Sequence, residues 1–207
     1  MEILGYGEDA LTLWAIQNKL GTILSALGEL EDKSKLRVLF RPSFGRSGGS
    51  GSSQFGEFDF IILCNRTLLL GESKWDGSSE KVTDGKLRLR AEQILRHQIF
   101  KLYVQEWSFG KYSSWAEFET KGHIKMKEQG IQKPIAPVGS LLAANLQTVL
   151  GVIKEHFDSL PNIVDVLLYL HRGLDDSLLP SKGPDSFRLI ELDYSTGTQD
   201  NFVKIKL

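Results

Sequence analysis

The chain contains three side chains that suit phosphate chemistry, at positions that one β-hairpin would bring together. Asp59 lies in the apolar stretch FGEFDFIIL, and Glu72 and Lys74 lie in the next one, TLLLGESKW. The short break between them, at Asn65 and Arg66, suits a two-residue hairpin loop, because Asn tolerates the positive φ of such turns. In that register Asp59 lies opposite Glu72, with the bases of the two side chains about 5 Å apart.

This cluster suits the hydrolysis of a phosphodiester with the help of a metal ion. Two facing carboxylates repel each other at neutral pH, and a divalent cation between them would relieve that repulsion. Mg²⁺, or Mn²⁺ in its place, prefers oxygen ligands. Lys74, one pleat beyond Glu72, could orient a metal-bound water or stabilise charge on the phosphate. The alternative is a cross-strand ladder of salt bridges, in which Glu57 faces Lys74 and Asp59 is an edge charge.

The arrangement Asp59…Glu72-Ser73-Lys74 resembles the signature of the PD-(D/E)XK nucleases, which have the restriction-endonuclease-like fold. Within that superfamily it is most similar to the nuclease-related domain, NERD. Phe58 stands where the superfamily name has Pro, and Trp75 where the domain usually has Asn, but neither position supplies a ligand. Four blocks match, over about the first 105 residues: Gly7-Glu8, Glu57-Phe58-Asp59, the run ESKWDG from Glu72 to Gly77, and Gln93-x-x-x-His97.

The resemblance implies a metal site and a catalytic lysine. Asp59, Glu72 and the backbone carbonyl of Ser73 would bind Mg²⁺ or Mn²⁺. Lys74 would position the attacking water, and Glu8 would reach the site from the first helix. On general grounds alone, Glu8 is equally well explained as an acid that favours the start of a helix.

The resemblance also places Gln93 at the site, from the helix that follows the strands. Gln93 and His97 are four residues apart and share one helical face with Lys101. The alternative is an exposed polar stripe without a role in binding. No other His or Cys is spaced to make His97 a metal ligand.

Basic residues are concentrated in the half of the chain that holds the carboxylates. Residues 33–56 contain five bases and no acid, whereas residues 155–200 contain nine acids and three bases. Such a distribution could follow a phosphate backbone, although ordinary solvent-exposed Lys and Arg would look the same. The net charge of −1 favours neither interpretation. The residues predicted to bind nucleic acid are Arg41, Arg46, Arg90, His97 and Lys101.

Length and composition predict one compact domain. The chain has 207 residues, of which 41% are hydrophobic, enough for a sizeable core. No apolar run approaches the roughly 18 residues that span a membrane, and the acidic N-terminus does not resemble a signal peptide. The single cysteine, Cys64, fits a reducing compartment. We therefore expect a cytoplasmic protein that does not interact with a membrane.

The element order that would position the candidate residues is α-β-β-β-α, followed by a helical insertion. The Gly/Ser-rich segment 45–53 could cover substrate with Arg46 or serve as a passive connector. We expect Phe187–Asp193 and Phe202–Leu207 to pair as a closing hairpin. The other predicted elements are helices at Glu8–Glu29, about Leu89–Trp107, Ser113–Glu128 and Ser140–Phe157, and strands at Leu36–Phe44, Phe55–Leu63, Thr67–Trp75 and Ile163–His171.

The sequence thus predicts a single α/β domain over residues 1–207, with a restriction-endonuclease-like mixed sheet flanked by helices and an extra helical lobe. The core would comprise residues 1–107 and 160–207, and the helical insertion about 108–159. The expected function is a metal-dependent nuclease, with DNA favoured over RNA. The alternative is a catalytically inactive module of the same fold that binds nucleic acid or a partner. The insertion could supply a surface for a homodimer or a larger complex.

Overall fold

The structure, a computed structural model, describes residues 2–29, 35–45, 55–77, 82–199 and 202–206. The protein is a mixed α/β protein with a five-stranded mixed sheet and four α-helices in this part of the chain. It divides into two compact units. The sheet unit comprises residues 1–40, 59–89 and 164–207, and the helical unit comprises residues 41–58 and 90–163.

The larger sheet has five strands, in the order β2 (Arg37–Phe40), β3 (Phe60–Leu63), β4 (Thr67–Trp75), β5 (Asn162–His171) and β6 (Phe187–Asp193) in the described part of the chain. Strands β2 to β4 form an antiparallel meander, whereas β5 and β6 are parallel, so the sheet is mixed as the sequence predicted. Strand β4 is buried along almost its whole length, which explains its apolar run at residues 68–70 and means that Glu72 and Lys74 are buried polar side chains.

The hairpin of β3 and β4 has the predicted loop and register. The backbone N–H of Cys64 donates to the carbonyl of Thr67 at 2.8 Å, which closes a two-residue loop. The ladder runs from Leu63–Leu68 to Phe60–Gly71. At its far end the ring of Phe60 lies over Gly71, where an added Cβ would be 2.0 Å from the ring. Glycine at position 71 is therefore required by close packing rather than by a turn.

Helix α1 (Glu8–Ala26) packs on one face of this sheet. It ends three residues before the predicted Glu29, because the backbone N–H groups of Leu27 and Gly28 donate to the carbonyls of Leu24 and Ser25 and close it. Its buried side chains alternate with exposed ones at helical spacing. The resulting core consists of Leu11, Trp14, Ala15, Ile16, Ile23 and Leu24 from the helix, and Phe60, Ile62, Leu69, Val166, Leu168, Leu170, Ile190 and Leu192 from the sheet.

A second, three-stranded sheet in the same unit has the order β1-β8-β7, with β1 at Glu2–Gly5, β7 at Thr198–Gln199 and β8 at Phe202–Lys206. The predicted closing hairpin of β6 and β8 is wrong. Strand β6 pairs in parallel with β5, and β8 pairs antiparallel with β1 and β7. The partner β1 was not predicted, because four residues offer too few positions for an alternating pattern.

The helical unit contains α2 (Ala91–Tyr103), α3 (Trp115–Glu128) and α4 (Leu141–His156), and α2 continues as a π-helical turn at Val104–Ser108. All three helices lie within a few residues of the predicted bounds. The side chains of Ser114 and Ser140 accept hydrogen bonds from the first turns of α3 and α4. Residues 41–58 and 90–107, which the sequence prediction assigned to the core, group with this unit.

Aromatic rings form the core of the helical unit. Phe44 lies 5.0 Å from Phe55 and 5.5 Å from Phe100, measured between ring centroids. The hydroxyl of Tyr103 accepts a hydrogen bond from the backbone N–H of Ala136 at 2.8 Å. Edge-to-face contacts of Phe55 with Phe100 and Tyr103 pack the C-terminal half of α2 against the segment around residue 55. No α-helix in the described ranges is long and apolar enough to cross a membrane.

Candidate functional site

The carboxylate of Asp59 lies against the end of β4. Its Oδ2 accepts a hydrogen bond from the backbone N–H of Ser73 at 2.7 Å. Its own backbone N–H donates to the carbonyl of Gly71 at 3.2 Å. Strand β3 begins only at Phe60 instead of the predicted Phe55. Asp59 therefore lies one residue beyond the last regular pair of the ladder, Phe60 with Gly71. The structure thus holds this carboxylate beside Glu72 by bonds to both of its neighbours in β4.

Burial and, next in size, the negative charge of Glu72 raise the pKa of Asp59, which lies at about 7. The Ser73 N–H and the charge of Lys74 lower the pKa, and they offset only part of these effects. The charge of Glu8 raises it slightly. A positive ion near Asp59 would favour its charged form.

Glu72 and Lys74 are two apart on β4 and therefore project from the same face. Both are buried, with exposed fractions of 1% and 3%. The ammonium of Lys74 donates to the carbonyl of Ser73 at 2.8 Å and to Oε1 of Glu8 at 3.2 Å. This ion pair joins the first turn of α1 to the end of β4, so two distant segments of the chain meet at one charge cluster.

The structure thus brings together five of the predicted site residues: Glu8, Asp59, Glu72, Ser73 and Lys74. The alternative ladder of salt bridges required Glu57 to face Lys74. Glu57 instead forms an ion pair with Arg41 and a backbone bridge with Ser43, while Lys74 pairs with Glu8. The physical reason is that β3 starts after Glu57, so the hairpin ladder never reaches it.

The oxygen atoms at this cluster are suitable ligands for a hard divalent cation. They are two adjacent carboxylates and the carbonyl of Ser73, all oxygens of the kind that Mg²⁺ and Mn²⁺ prefer. Lys74 already donates to that carbonyl, but a carbonyl oxygen has a second lone pair. Within the described ranges, no group of three or more His, Cys, Asp or Glu side chains could hold a metal ion. The predicted set has only two such side chains, so any metal here would rely on the backbone carbonyl and water.

Gln93 and His97 lie in the helical unit and are buried, with exposed fractions of 6% and 1%. The alternative of an exposed polar stripe is therefore wrong at both positions. Oε1 of Gln93 accepts from the backbone N–H of Arg90 at 3.1 Å and so supports the start of α2. The ring of His97 packs at 4.7 Å from the ring of Phe58, which joins it to the aromatic core. Lys101, on the next turn, is half-buried.

The remaining basic residues predicted to bind nucleic acid have different surroundings. Arg90 is exposed at the start of α2, where its side chain lines a pocket. Arg41 has a positive φ of 47° and forms an ion pair with Glu57. Arg46 and most of the Gly/Ser-rich segment lie outside the described residues.

Asp76 supports the site and was not predicted to do so. Its carboxylate accepts from the backbone N–H of Arg172 at 2.8 Å and from the hydroxyl of Tyr194 at 2.7 Å. These bonds tie the chain after Lys74 to the ends of β5 and β6. The partners lie far along the chain, so no local pattern in the sequence could have indicated them.

Comparison of the chain with family models, with curated proteins and with solved structures gives no match. A function is therefore indicated only by the geometry of the site and by the order of the motif residues.

Proposed function

We propose that the protein is a Mg²⁺- or Mn²⁺-dependent nuclease that hydrolyses phosphodiester bonds, with DNA as the favoured substrate. The observation that carries the proposal is the charge cluster at the end of β4, where the carboxylate of Asp59 lies beside the buried side chains of Glu72 and Lys74. Like charges are costly to bury side by side, and a divalent cation would compensate them. The restriction-endonuclease-like fold is part of the same proposal, and it rests on the order of the motif residues.

Asp59, Glu72 and the carbonyl of Ser73 would hold the metal. A bound Mg²⁺ or Mn²⁺ would supply Lewis acidity and a more acidic water. The fixed hydrogen bond between Ser73 N–H and Asp59 orients that carboxylate before any ligand binds.

Lys74 would act on the attacking water and on the phosphate. An ammonium has three N–H donors, of which two point to Ser73 and Glu8 in the described part of the structure. The third can donate to the water or to a non-bridging phosphate oxygen, where negative charge increases in the transition state. Glu8 is a positioning residue, because it holds the Lys74 ammonium in place. In the hydrolysis, the water oxygen bonds to phosphorus, the bond from phosphorus to the leaving oxygen breaks, and the leaving oxygen takes up a proton.

Calorimetric titration with Mn²⁺ tests the metal site. Wild type should bind Mn²⁺, and Asp59→Ala should bind it at least about tenfold more weakly, because a hard oxygen ligand is lost. Lys74→Ala should bind Mn²⁺ as tightly as wild type or more tightly, since a neighbouring positive charge is removed. Asp158→Ala, which changes an exposed acid in the helical unit, is the control. Equal Mn²⁺ affinity in wild type and Asp59→Ala would contradict the proposal.

A second candidate is an inactive module that binds nucleic acid or a partner. The observation in its favour is the bond from Lys74 to the carbonyl of Ser73, because that lysine and that carbonyl satisfy each other without a metal. Under this alternative the helices at 113–157 would supply the surface for a second copy or a larger complex. Nucleic-acid binding that is unchanged by Mn²⁺, by EDTA and by Lys74→Ala, without cleavage, would favour the module.

A further inference from the structure

The helical unit contains a pocket of about 330 Å³ beside the first turns of α2. None of Asp59, Glu72 and Lys74 lines it. Its lining has three basic side chains and one acidic one, so its charge favours an anionic ligand. The charged lining residues are Arg90, Arg96, Lys133 and Glu92.

Arg96 is held in place by the parts of the unit around it. Its guanidinium lies 5.4 Å from the centre of the Phe58 ring, within the range of a cation–π contact. On another side it approaches the backbone at Gly56, where an added Cβ would lie 2.7 Å from Nη1. Gly56 also has a φ of +79°, a conformation that L side chains rarely adopt. Glycine at this position therefore gives the guanidinium the space that it occupies.

A guanidinium that is fixed before binding loses little freedom when a ligand arrives. Its planar set of donors matches the oxygens of a phosphate. Arg90 and Lys133 are both exposed and can move toward the same ligand. The three positive groups therefore combine one fixed donor with two adaptable ones.

Apart from the polar side chain of Gln93, the rest of the pocket lining is apolar. Phe55 and Ile99, exposed by 7% and 5%, line it together with Leu95. The volume is at the lower end of the roughly 300–1,000 Å³ of small-molecule sites. A pocket of this size, with cations on one part and an aromatic ring on another, fits a phosphate that carries a single base or sugar. A large cofactor would exceed it.

We propose that this pocket binds one phosphorylated nucleotide unit, with its phosphate at Arg90, Arg96 and Lys133. The inference rests on the proposed function in that the unit belongs to a nucleic-acid strand. A free nucleotide presents the same chemistry, and the experiment distinguishes the two sources. The pocket is thus a subsite for the substrate that is separate from the carboxylates. Lys133 lies outside every motif block, and no pattern along the chain indicated a role for it.

Calorimetry of the full-length protein in EDTA tests the pocket without any contribution from metal. The probes are dAMP, deoxyadenosine and inorganic phosphate. Wild type should bind dAMP at least about tenfold more tightly than deoxyadenosine, because only dAMP carries the charged phosphate. Inorganic phosphate should bind more weakly than dAMP, since it makes no contact with Phe55. Deoxyadenosine binding as tightly as dAMP would overturn the proposal.

Variants then connect the binding to the pocket. Lys133→Ala and Arg90→Ala should each weaken dAMP binding at least about fivefold. The matched control is Lys127→Ala, which removes another exposed lysine from the same unit. Gly56→Ala should also weaken binding, because it displaces the Arg96 guanidinium without removing a charge. Circular dichroism checks that this last variant is folded, and the two surface variants carry the test if it is not. Unchanged dAMP affinity in Lys133→Ala and Arg90→Ala would overturn the proposal.

A short single-stranded oligonucleotide distinguishes the two sources of the phosphate. Displacement of dAMP by the oligonucleotide, with the loss of oligonucleotide affinity in Lys133→Ala, assigns the pocket to a strand. Displacement by free nucleotides alone assigns it to a free nucleotide and overturns its role as a substrate subsite.

Asp59→Ala should bind dAMP like wild type. Nucleotide binding in a wild-type protein that cleaves nothing would therefore refute the nuclease and leave the pocket standing. Normal cleavage by wild type with no dAMP binding would refute only the pocket.

Discussion

At the scale of single residues, the site is costly for the folded protein when no metal is bound. Asp59 is held next to Glu72 by the Ser73 N–H, although burial and the like charge both disfavour its ionised form. The residue types and their spacing could be predicted from the sequence, because a hairpin relates Asp59 to Glu72 by counting alone. The hydrogen bond from the Ser73 N–H to the Asp59 carboxylate could not be predicted, because it depends on where the regular ladder of β3 and β4 ends.

The first prediction at this scale concerns pH and stability. Because the pKa of Asp59 is raised to about 7 in the folded protein, the unfolded chain loses this proton at lower pH than the folded one does. The free energy of unfolding of the metal-free protein should therefore fall as pH rises from about 4 to 7, since the unfolded state then binds fewer protons. Asp59→Asn removes this group and should raise the Tm in EDTA at pH 8 more than at pH 5.

Thermal denaturation in EDTA at the two pH values measures the difference. Asp193→Asn is a suitable control, because hydrogen bonds to the Ser195 backbone and side chain help to lower the pKa of Asp193. That control should lower stability at pH 8, which is the opposite sign. A Tm of Asp59→Asn below that of wild type at pH 8 would show that Asp59 is charged and stabilised in the metal-free site.

At the scale of elements, the β3–β4 hairpin was the most predictable part of the fold. Its loop and its register follow from two apolar runs with one two-residue break. The helices of the helical unit were also predictable, because each has a long periodic pattern and two begin at a serine cap. Strand β1 and the pairing of β8 could not be predicted, since short strands find their partners only through contacts distant in the sequence. The burial of Gln93 and His97 was likewise missed, because polar residues at helical spacing normally indicate a solvent-exposed face.

A prediction at this scale concerns the packing of the hairpin. Gly71→Ala would place a Cβ about 2.0 Å from the Phe60 ring, so the ring or β4 must move. Overpacking of this kind costs roughly 1–3 kcal/mol of unfolding free energy. It should also displace Glu72, the next residue, and so weaken Mn²⁺ binding.

The matched comparison is Gly151→Ala, in α4, where an added Cβ meets no atom within 4 Å. That change should stabilise the protein by roughly 0.5–1 kcal/mol, because alanine favours a helix. Urea denaturation of both variants measures the two effects. A Gly71→Ala protein with wild-type stability and Mn²⁺ affinity would mean that the close approach of Phe60 does not constrain the site.

At the scale of the whole molecule, the proposed chemistry is divided between two compact units. The sheet unit supplies the carboxylates and Lys74, and the helical unit supplies the basic pocket with Arg96. The distribution of charge along the sequence indicated a basic half, but not which bases share a pocket. That grouping depends on the fold of the helical unit, in which residue 133 returns to the start of α2. It could not be read from spacing along the chain.

Cleavage of an end-labelled DNA by the purified protein, with Mg²⁺ or Mn²⁺ and with EDTA, tests the proposed nuclease most directly. We expect wild type to cleave the DNA when the metal is present and to leave it intact in EDTA. Lys74→Ala should cleave at least about 100-fold more slowly, because it loses the charge that stabilises the transition state. An RNA of the same sequence, run in parallel, measures the preference for DNA. The proposed nuclease would be contradicted if wild type cleaved neither polymer, or if Lys74→Ala cleaved at the wild-type rate.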